Sequence, residues 1–102
     1  MKVTAEILRY GAEKSGVSSS TGRQWMMRDV TIQWFDEGAN GRYEQQTVMT
    51  ASQPLDEKKL DEAIASRKQM DVTIYFGTRE YDGRDYAKIT GYLPKEFNRN
   101  EN

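Results

Sequence analysis

The chain has 102 residues and a formal net charge of −1, with 15 Lys and Arg against 16 Asp and Glu. It contains no cysteine, which excludes disulfides and thiolate zinc sites, and no histidine, the commonest general base and metal ligand. One domain that is not an enzyme and holds no cofactor is therefore expected. Glu6 interrupts the apolar run that a signal peptide requires, and no segment could span a membrane, so we predict a cytoplasmic protein without membrane contact.

The first predicted strand covers Lys2–Tyr10. Its apolar residues occupy both parities, which indicates a strand that bends or is buried on both sides. Residues 11–22 follow, with three glycines and four serines. Such a composition is typical of a loop, and two interpretations stay open: a solvated connection or a ligand-binding loop.

Two further strands are predicted at Trp25–Asp36 and Arg42–Ala51. In the first of them, Val30, Ile32 and Trp34 alternate with polar residues, as on a strand with one buried face. The other is unusually polar, which indicates a solvated face or the edge of a sheet. Residues 36–41 between them predict a turn, because they include two glycines and an asparagine.

A short helix is predicted after Pro54. Asp56 and Glu57 suit the positive end of the helix dipole, and Leu60, Ala63 and Ile64 form a narrow apolar stripe. We expect about three turns that cap the core of the sheet.

A long hairpin is predicted over residues 70–93. Val72, Ile74 and Phe76 form one apolar row that is predicted to face the core, and alternate residues of 87–93 form another. Asp82-Gly83 lies between the rows and predicts a type I′ turn, which requires positive φ at both central residues.

The element order predicts an all-β fold with one helix. Three strands, a helix and two strands (β-β-β-α-β-β) form the layout of the OB-fold, a five-stranded Greek-key β-barrel. We assign residues 1–97 to this single domain and 98–102 to a disordered polar tail. The alternatives are an SH3-like barrel and a four- to five-stranded sheet with one helix.

Two segments carry a resemblance to a known family. Ser15–Ser18 and Gly22–Trp25, followed by the strand Arg28–Ile32, are similar to the first hairpin of a family of small bacterial proteins of unknown function. Thr78–Tyr86, after Val72–Ile74, resembles the last hairpin of that family, with its signature Arg-Glu-Tyr-x-Gly-Arg-x-Tyr. The family is grouped with single-stranded DNA-binding OB-folds, so the resemblance implies that fold and that function.

The leading functional hypothesis is a single-stranded DNA-binding protein, with RNA as the alternative ligand. Such sites need aromatic faces for bases to stack on and cations for phosphates. The stacking candidates are Trp25, Tyr43, Tyr75, Tyr81, Tyr86 and Tyr92. The phosphate-binding candidates are Arg23, Arg28, Arg42, Arg79, Arg84 and Lys88. Neighbouring carboxylates such as Glu80 and Asp85 could neutralise Arg79 and Arg84 instead.

The second hypothesis is a protein-interaction module or a homodimeric accessory protein without nucleic-acid binding. Methionines are adaptable side chains that are common at partner surfaces, and Met26, Met27, Met49 and Met70 are the candidates. The polar third strand could pair with a second copy of the chain. Nucleic-acid binding weakens steeply with added salt, whereas a methionine-lined interface responds little, so salt separates the two hypotheses.

Overall fold

In the part of the chain that the structure describes, the fold consists mainly of β-strands, with one α-helix. The computed structural model describes residues 1–39 and 41–99, apart from the side chains of Ala39, Arg79, Tyr81, Tyr86 and Ala87. The elements are β1 (Lys2–Tyr10), β2 (Lys14–Val17), β3 (Gln24–Asp36), β4 (Arg42–Ala51), α1 (Glu57–Ser66), β5 (Met70–Tyr81) and β6 (Arg84–Tyr92), with 3-10 turns at Glu37–Ala39 and Lys95–Phe97. The prediction of a mainly β domain with one helix among its strands is confirmed.

Five of the strands pair in a cycle. β1 pairs with β3 and β5, β4 pairs with β3 and β6, and β5 pairs with β6. All of these pairs are antiparallel except β4 with β6, which are parallel and share the pair Met49–Thr90. The sheet therefore curves back on itself around the core, and each strand has an inner face and an outer face.

Strand β2 was not among the five strands that the sequence predicted. It lies inside the predicted loop 11–22 and pairs with Gln24–Met27, the first residues of β3. Its sequence, Lys-Ser-Gly-Val, has no apolar alternation and little strand propensity. It forms because β3 continues beyond its pairing with β1, where β2 supplies the backbone partners.

A bulge bends β1. The strand places Ile7 opposite Ile32 and Arg9 opposite Thr31, so Leu8 is an extra residue between two ladder pairs. Of the two interpretations that the sequence left open, this irregularity favours a strand that bends. The bulge also reverses the alternation of side chains, so Arg9 lies on the outer face, whereas simple alternation would place it inside with Ile7.

The core is a single cluster closed at one end by α1. Asp56 caps the helix, where its Oδ1 accepts a hydrogen bond of 3.0 Å from the Lys58 backbone N–H. Arg67 ends it in a left-handed conformation with φ of 52°. The buried apolar residues are Ala5, Ile7, Val30, Ile32, Val48, Leu55, Leu60, Ala63, Met70, Val72, Ile74, Leu93 and Phe97.

The end of the described chain packs beside the start of α1. Phe97 is buried, and Asn98 forms a bridge with Leu55. The Arg99 backbone N–H donates to Pro54 O at 2.7 Å, and its side chain pairs with Glu13. These contacts place Asn98 and Arg99 with the folded chain rather than with the predicted tail, whose residues 100–102 lie outside the described residues.

The hairpin of β5 and β6 extends past the core. Its turn is the predicted type I′, with φ of 54° at Asp82 and 74° at Gly83. The prediction that Phe76 is buried is wrong, because its side chain is 60% exposed. β1 pairs with β5 only as far as Thr73. Ile74 still bonds to the Met1 backbone, and Thr90 of β6 pairs with Met49 of β4. Beyond these two points, the hairpin residues that the structure describes pair only with each other, so Phe76 lies outside the core.

Gly91 allows β6 to pack closely against β4. A β-carbon at this position would lie 2.8 Å from Val48 Cγ2 and 2.9 Å from Val48 Cβ. We expect Gly91→Ala to lower the free energy of unfolding by about 1–3 kcal/mol, measured by urea denaturation, because a tight core does not accept the extra methyl group. Gly77→Ala is the control, because a β-carbon added at Gly77 would lie 3.9 Å from Lys88 O, an ordinary van der Waals distance. Equal stabilities of the two variants would contradict the prediction.

Candidate nucleic-acid interface

Several large aromatic side chains face solvent. Trp25, Phe35, Tyr43, Tyr75 and Tyr92 are between 41% and 64% exposed. Four of these five belong to the predicted stacking residues, and Phe35 was not among them. A lone exposed apolar residue is ordinary, but so many exposed rings in one small domain are typical of a binding surface.

Four of these rings form two cross-strand pairs. Phe35 and Tyr43 are opposite each other on β3 and β4, with ring centroids 5.2 Å apart and planes at 65°. Tyr75 and Tyr92 have centroids 6.0 Å apart and planes at 72°. Edge-to-face contact is worth about 0.5–1.5 kcal/mol, which favours these orientations while the rings stay exposed. Each pair therefore presents aromatic surface to solvent in a preferred orientation.

Trp25 lies on the hairpin of β2 and β3, opposite Gly16. A β-carbon on Gly16 would lie 2.7 Å from Trp25 Cζ2, so only glycine lets the indole rest directly on the β2 backbone. Grooves border the ring on two sides, one lined by Ser15, Gly16 and Pro54 and the other by Val17, Ser18 and Met27. The predicted loop has thus become a support for a partly exposed indole.

On the outer face of β1, β3 and β4, three rows of side chains follow the pair Asp29–Met49, and each row crosses two or three of the strands. The first contains Arg9, Thr31 and Thr47, and the two threonine hydroxyls are 2.9 Å apart. The second contains Glu6, Gln33 and Gln45, and the third is the Phe35–Tyr43 pair. We refer to these three rows as the outer-face ladder.

Hydrogen bonds run in one direction along the second row. Gln33 Nε2 donates to Glu6 Oε1 at 3.1 Å, and Gln45 Nε2 donates to Gln33 Oε1 at 2.9 Å. A carboxylate can only accept, so Glu6 fixes the orientation of both amides. The Gln45 carbonyl oxygen is then left as the acceptor at the β4 end of the row.

Glu6 is a buried acid, 5% exposed, that pairs with Arg67. Arg67 Nε and Nη2 donate to the two carboxylate oxygens at 3.1 and 3.2 Å. These hydrogen bonds lower the pKa of Glu6 below its ordinary value, although burial acts in the opposite direction. The bond to Glu6 also raises the pKa of Arg67, with a smaller electrostatic contribution from Tyr43.

Four of the predicted phosphate-binding residues are exposed. In the part of the chain that the structure describes, Arg23, Arg42, Arg84 and Lys88 form no ion pair within 4 Å. The predicted neutralisation of Arg84 by neighbouring carboxylates is therefore not seen among these residues.

Arg28, a predicted phosphate-binding residue, is buried rather than exposed. Its side chain is 3% exposed and lies on the inner face of β3. Nη1 donates to Gly11 O at 3.0 Å and to Glu57 Oε1 at 3.1 Å, and the guanidinium lies 5.3 Å from the centre of the Tyr10 ring. This arginine links β1, β3 and α1, and we exclude it from the interface.

Three other predicted residues lie outside what can be described. The side chains of Arg79, Tyr81 and Tyr86 are not among the described ones, and the backbone register pairs Arg79 with Tyr86 and Tyr81 with Arg84.

Two arginines of this surface, Arg9 and Arg67, were missed by sequence reasoning. The bulge at Leu8 moves Arg9 to the outer face, and Arg67 reaches Glu6 from the end of α1. No local sequence pattern indicates that Arg9 or Arg67 lies on this face. The exposure of Phe35 was predictable, because Phe35 lies on the opposite parity to the buried row of Val30 and Ile32.

Comparison of the chain with protein-family models, with curated proteins and with solved structures gave no match. The family resemblance therefore remains a prediction. No helix in the described ranges is long and apolar enough to cross a membrane. Among the same residues, no three acidic side chains converge as metal ligands.

Proposed function

We propose that this domain is an OB-fold, a Greek-key barrel of five strands extended by β2, that binds single-stranded DNA without catalysing a reaction. The strand cycle β1-β3-β4-β6-β5 and the helix between β4 and β5 support the fold assignment. The observation that carries the functional proposal is the set of exposed aromatic rings on a domain that also exposes three arginines and a lysine without an ion pair among the described residues. A single strand needs both, and it needs little readout of base edges.

The expected affinity comes from stacking rather than from overall charge. Each stacked base contributes about 1–3 kcal/mol, so two or three bases give useful binding at a net charge of −1. Three phosphate contacts would give a salt slope near −2, since each contact on a single strand contributes about 0.7.

The test is a titration with fluorescein-labelled oligo-dT. Trp34→Phe leaves Trp25 as the single tryptophan, because the chain has two. We expect a rise in anisotropy, quenching of Trp25, and roughly tenfold to twentyfold weaker binding when salt rises from about 50 to about 200 mM. No change in anisotropy or Trp25 emission at the lower salt would refute the proposal, and binding of oligo-rU alone would transfer it to RNA.

The methionine-lined alternative has less support. Met70 is buried in the core, and Met26, Met27 and Met49 are half-buried. Of the four candidate methionines, only the three half-buried ones could contact a partner, and only in part.

A further inference from the structure

The outer-face ladder has different chemistry at its two sides. Cations stand on the β1 side, where Arg9 is exposed beside Thr31. Within the described residues, Arg9 forms no ion pair. Rings stand on the β4 side, where Tyr43 closes the third row. A single strand has the same division, with phosphates along one side and bases along the other.

Arg67 is the second cation on the β1 side. Its side chain is 75% exposed although two of its N–H groups bind Glu6. A guanidinium has five N–H donors, so three remain. Two of them, one on Nη1 and one on Nη2, point in parallel from the edge that Glu6 does not occupy. That edge has the fork geometry that binds a phosphate through two parallel hydrogen bonds.

Glu6 holds this guanidinium in place. The carboxylate is buried and fixed on its other side by Gln33, so the Arg67–Glu6 pair has a rigid base. An exposed arginine normally loses side-chain freedom when it binds a ligand. Here much of that freedom is already lost in the free protein, which favours binding.

We propose that the single strand lies along β3 on the outer-face ladder, with phosphates at Arg9 and Arg67 and bases on Phe35 and Tyr43. Glu6 is a positioning residue for Arg67. This inference rests on the proposed function and names the face and the orientation of the strand. The competing path follows the hairpin of β5 and β6, where Arg84 and Lys88 would bind the phosphates.

The experiment measures the salt slope of oligo-dT binding for Arg9→Gln and Arg67→Gln, and for Arg84→Gln and Lys88→Gln on the competing path. Lys58→Gln, at an exposed position of α1 outside both paths, is the matched control. A lost phosphate contact reduces the slope by about 0.7. We expect this reduction, with severalfold weaker binding, for Arg9→Gln and Arg67→Gln, a smaller reduction for Arg84→Gln and Lys88→Gln, and an unchanged slope for Lys58→Gln. The reverse pattern would overturn the path and leave the proposed function standing, whereas no binding by the wild type would refute the proposed function itself.

Two further variants test whether Glu6 positions the Arg67 guanidinium or whether only the charge of these two residues affects binding. Arg67→Lys keeps the charge without the fork, so its slope should stay near the wild-type value while its affinity falls. Glu6→Gln removes a negative charge, which by itself would strengthen DNA binding. We expect weaker binding instead, with a slope between those of the wild type and Arg67→Gln, because Arg67 is no longer held. Stronger binding by Glu6→Gln would overturn the positioning role.

Discussion

Replacing Arg28 by alanine is expected to lower the free energy of unfolding by about 3–5 kcal/mol. The side chain is 3% exposed, and its Nη1 donates hydrogen bonds to Gly11 O and Glu57 Oε1. Alanine removes these charge-assisted bonds and leaves a cavity beside Tyr10, where the guanidinium now packs. Urea denaturation at neutral pH measures the loss, which is a large share of the 5–15 kcal/mol typical of a small domain.

Arg28→Met separates the contribution of the hydrogen bonds from the contribution of the packing against Tyr10. Methionine refills most of the volume and contacts the Tyr10 ring, so it should recover about half of the stability that alanine loses. Because Arg28 lies outside the proposed interface, folded Arg28→Met should keep the wild-type salt slope for oligo-dT. A reduced slope in this variant would return Arg28 to the phosphate-binding residues and contradict its structural role.

Arg28 also shows what the sequence could predict. Alternation along β3 puts it in the row of Val30 and Ile32, and that row is buried. Its burial was therefore within reach of the sequence, since alternation reports which face of a strand meets the core. Its partners were not, because Gly11 and Glu57 are brought to it by the loop after β1 and by α1, far apart in the chain.

The proposed interface was less predictable than the fold. Strand positions and the hairpin turn follow from local patterns, such as the alternation of β3 and Asp82-Gly83. The position of Arg9 depends on a one-residue bulge, and a bulge leaves the apolar pattern before it unchanged. Phe76 shows the opposite error, because it continues the apolar row of β5 beyond the point where other strands cover it.

Glu6→Gln is expected to lower the free energy of unfolding by about 1–3 kcal/mol at neutral pH. The charged carboxylate accepts hydrogen bonds from Arg67 and Gln33, whereas glutamine offers one neutral acceptor to the same donors. The exposure of Arg67 to solvent screens the pair and keeps the effect below that of Arg28→Ala. Glu62→Gln on the exposed side of α1 is the matched control and should change stability little.

The pH dependence of this difference identifies the charge of Glu6 as its cause. The pKa of Glu6 is lowered in the folded protein, so its ionisation stabilises the fold at every pH above the unfolded value, about 4.5. That stabilisation is lost as pH falls through the lower folded value. The gap between wild type and Glu6→Gln should therefore be constant above about pH 5.5 and shrink steadily in more acidic solution. A gap that stays the same down to the acid limit of folding would mean that Glu6 acts through packing alone, and the ion pair would then have no role in holding Arg67 at the surface.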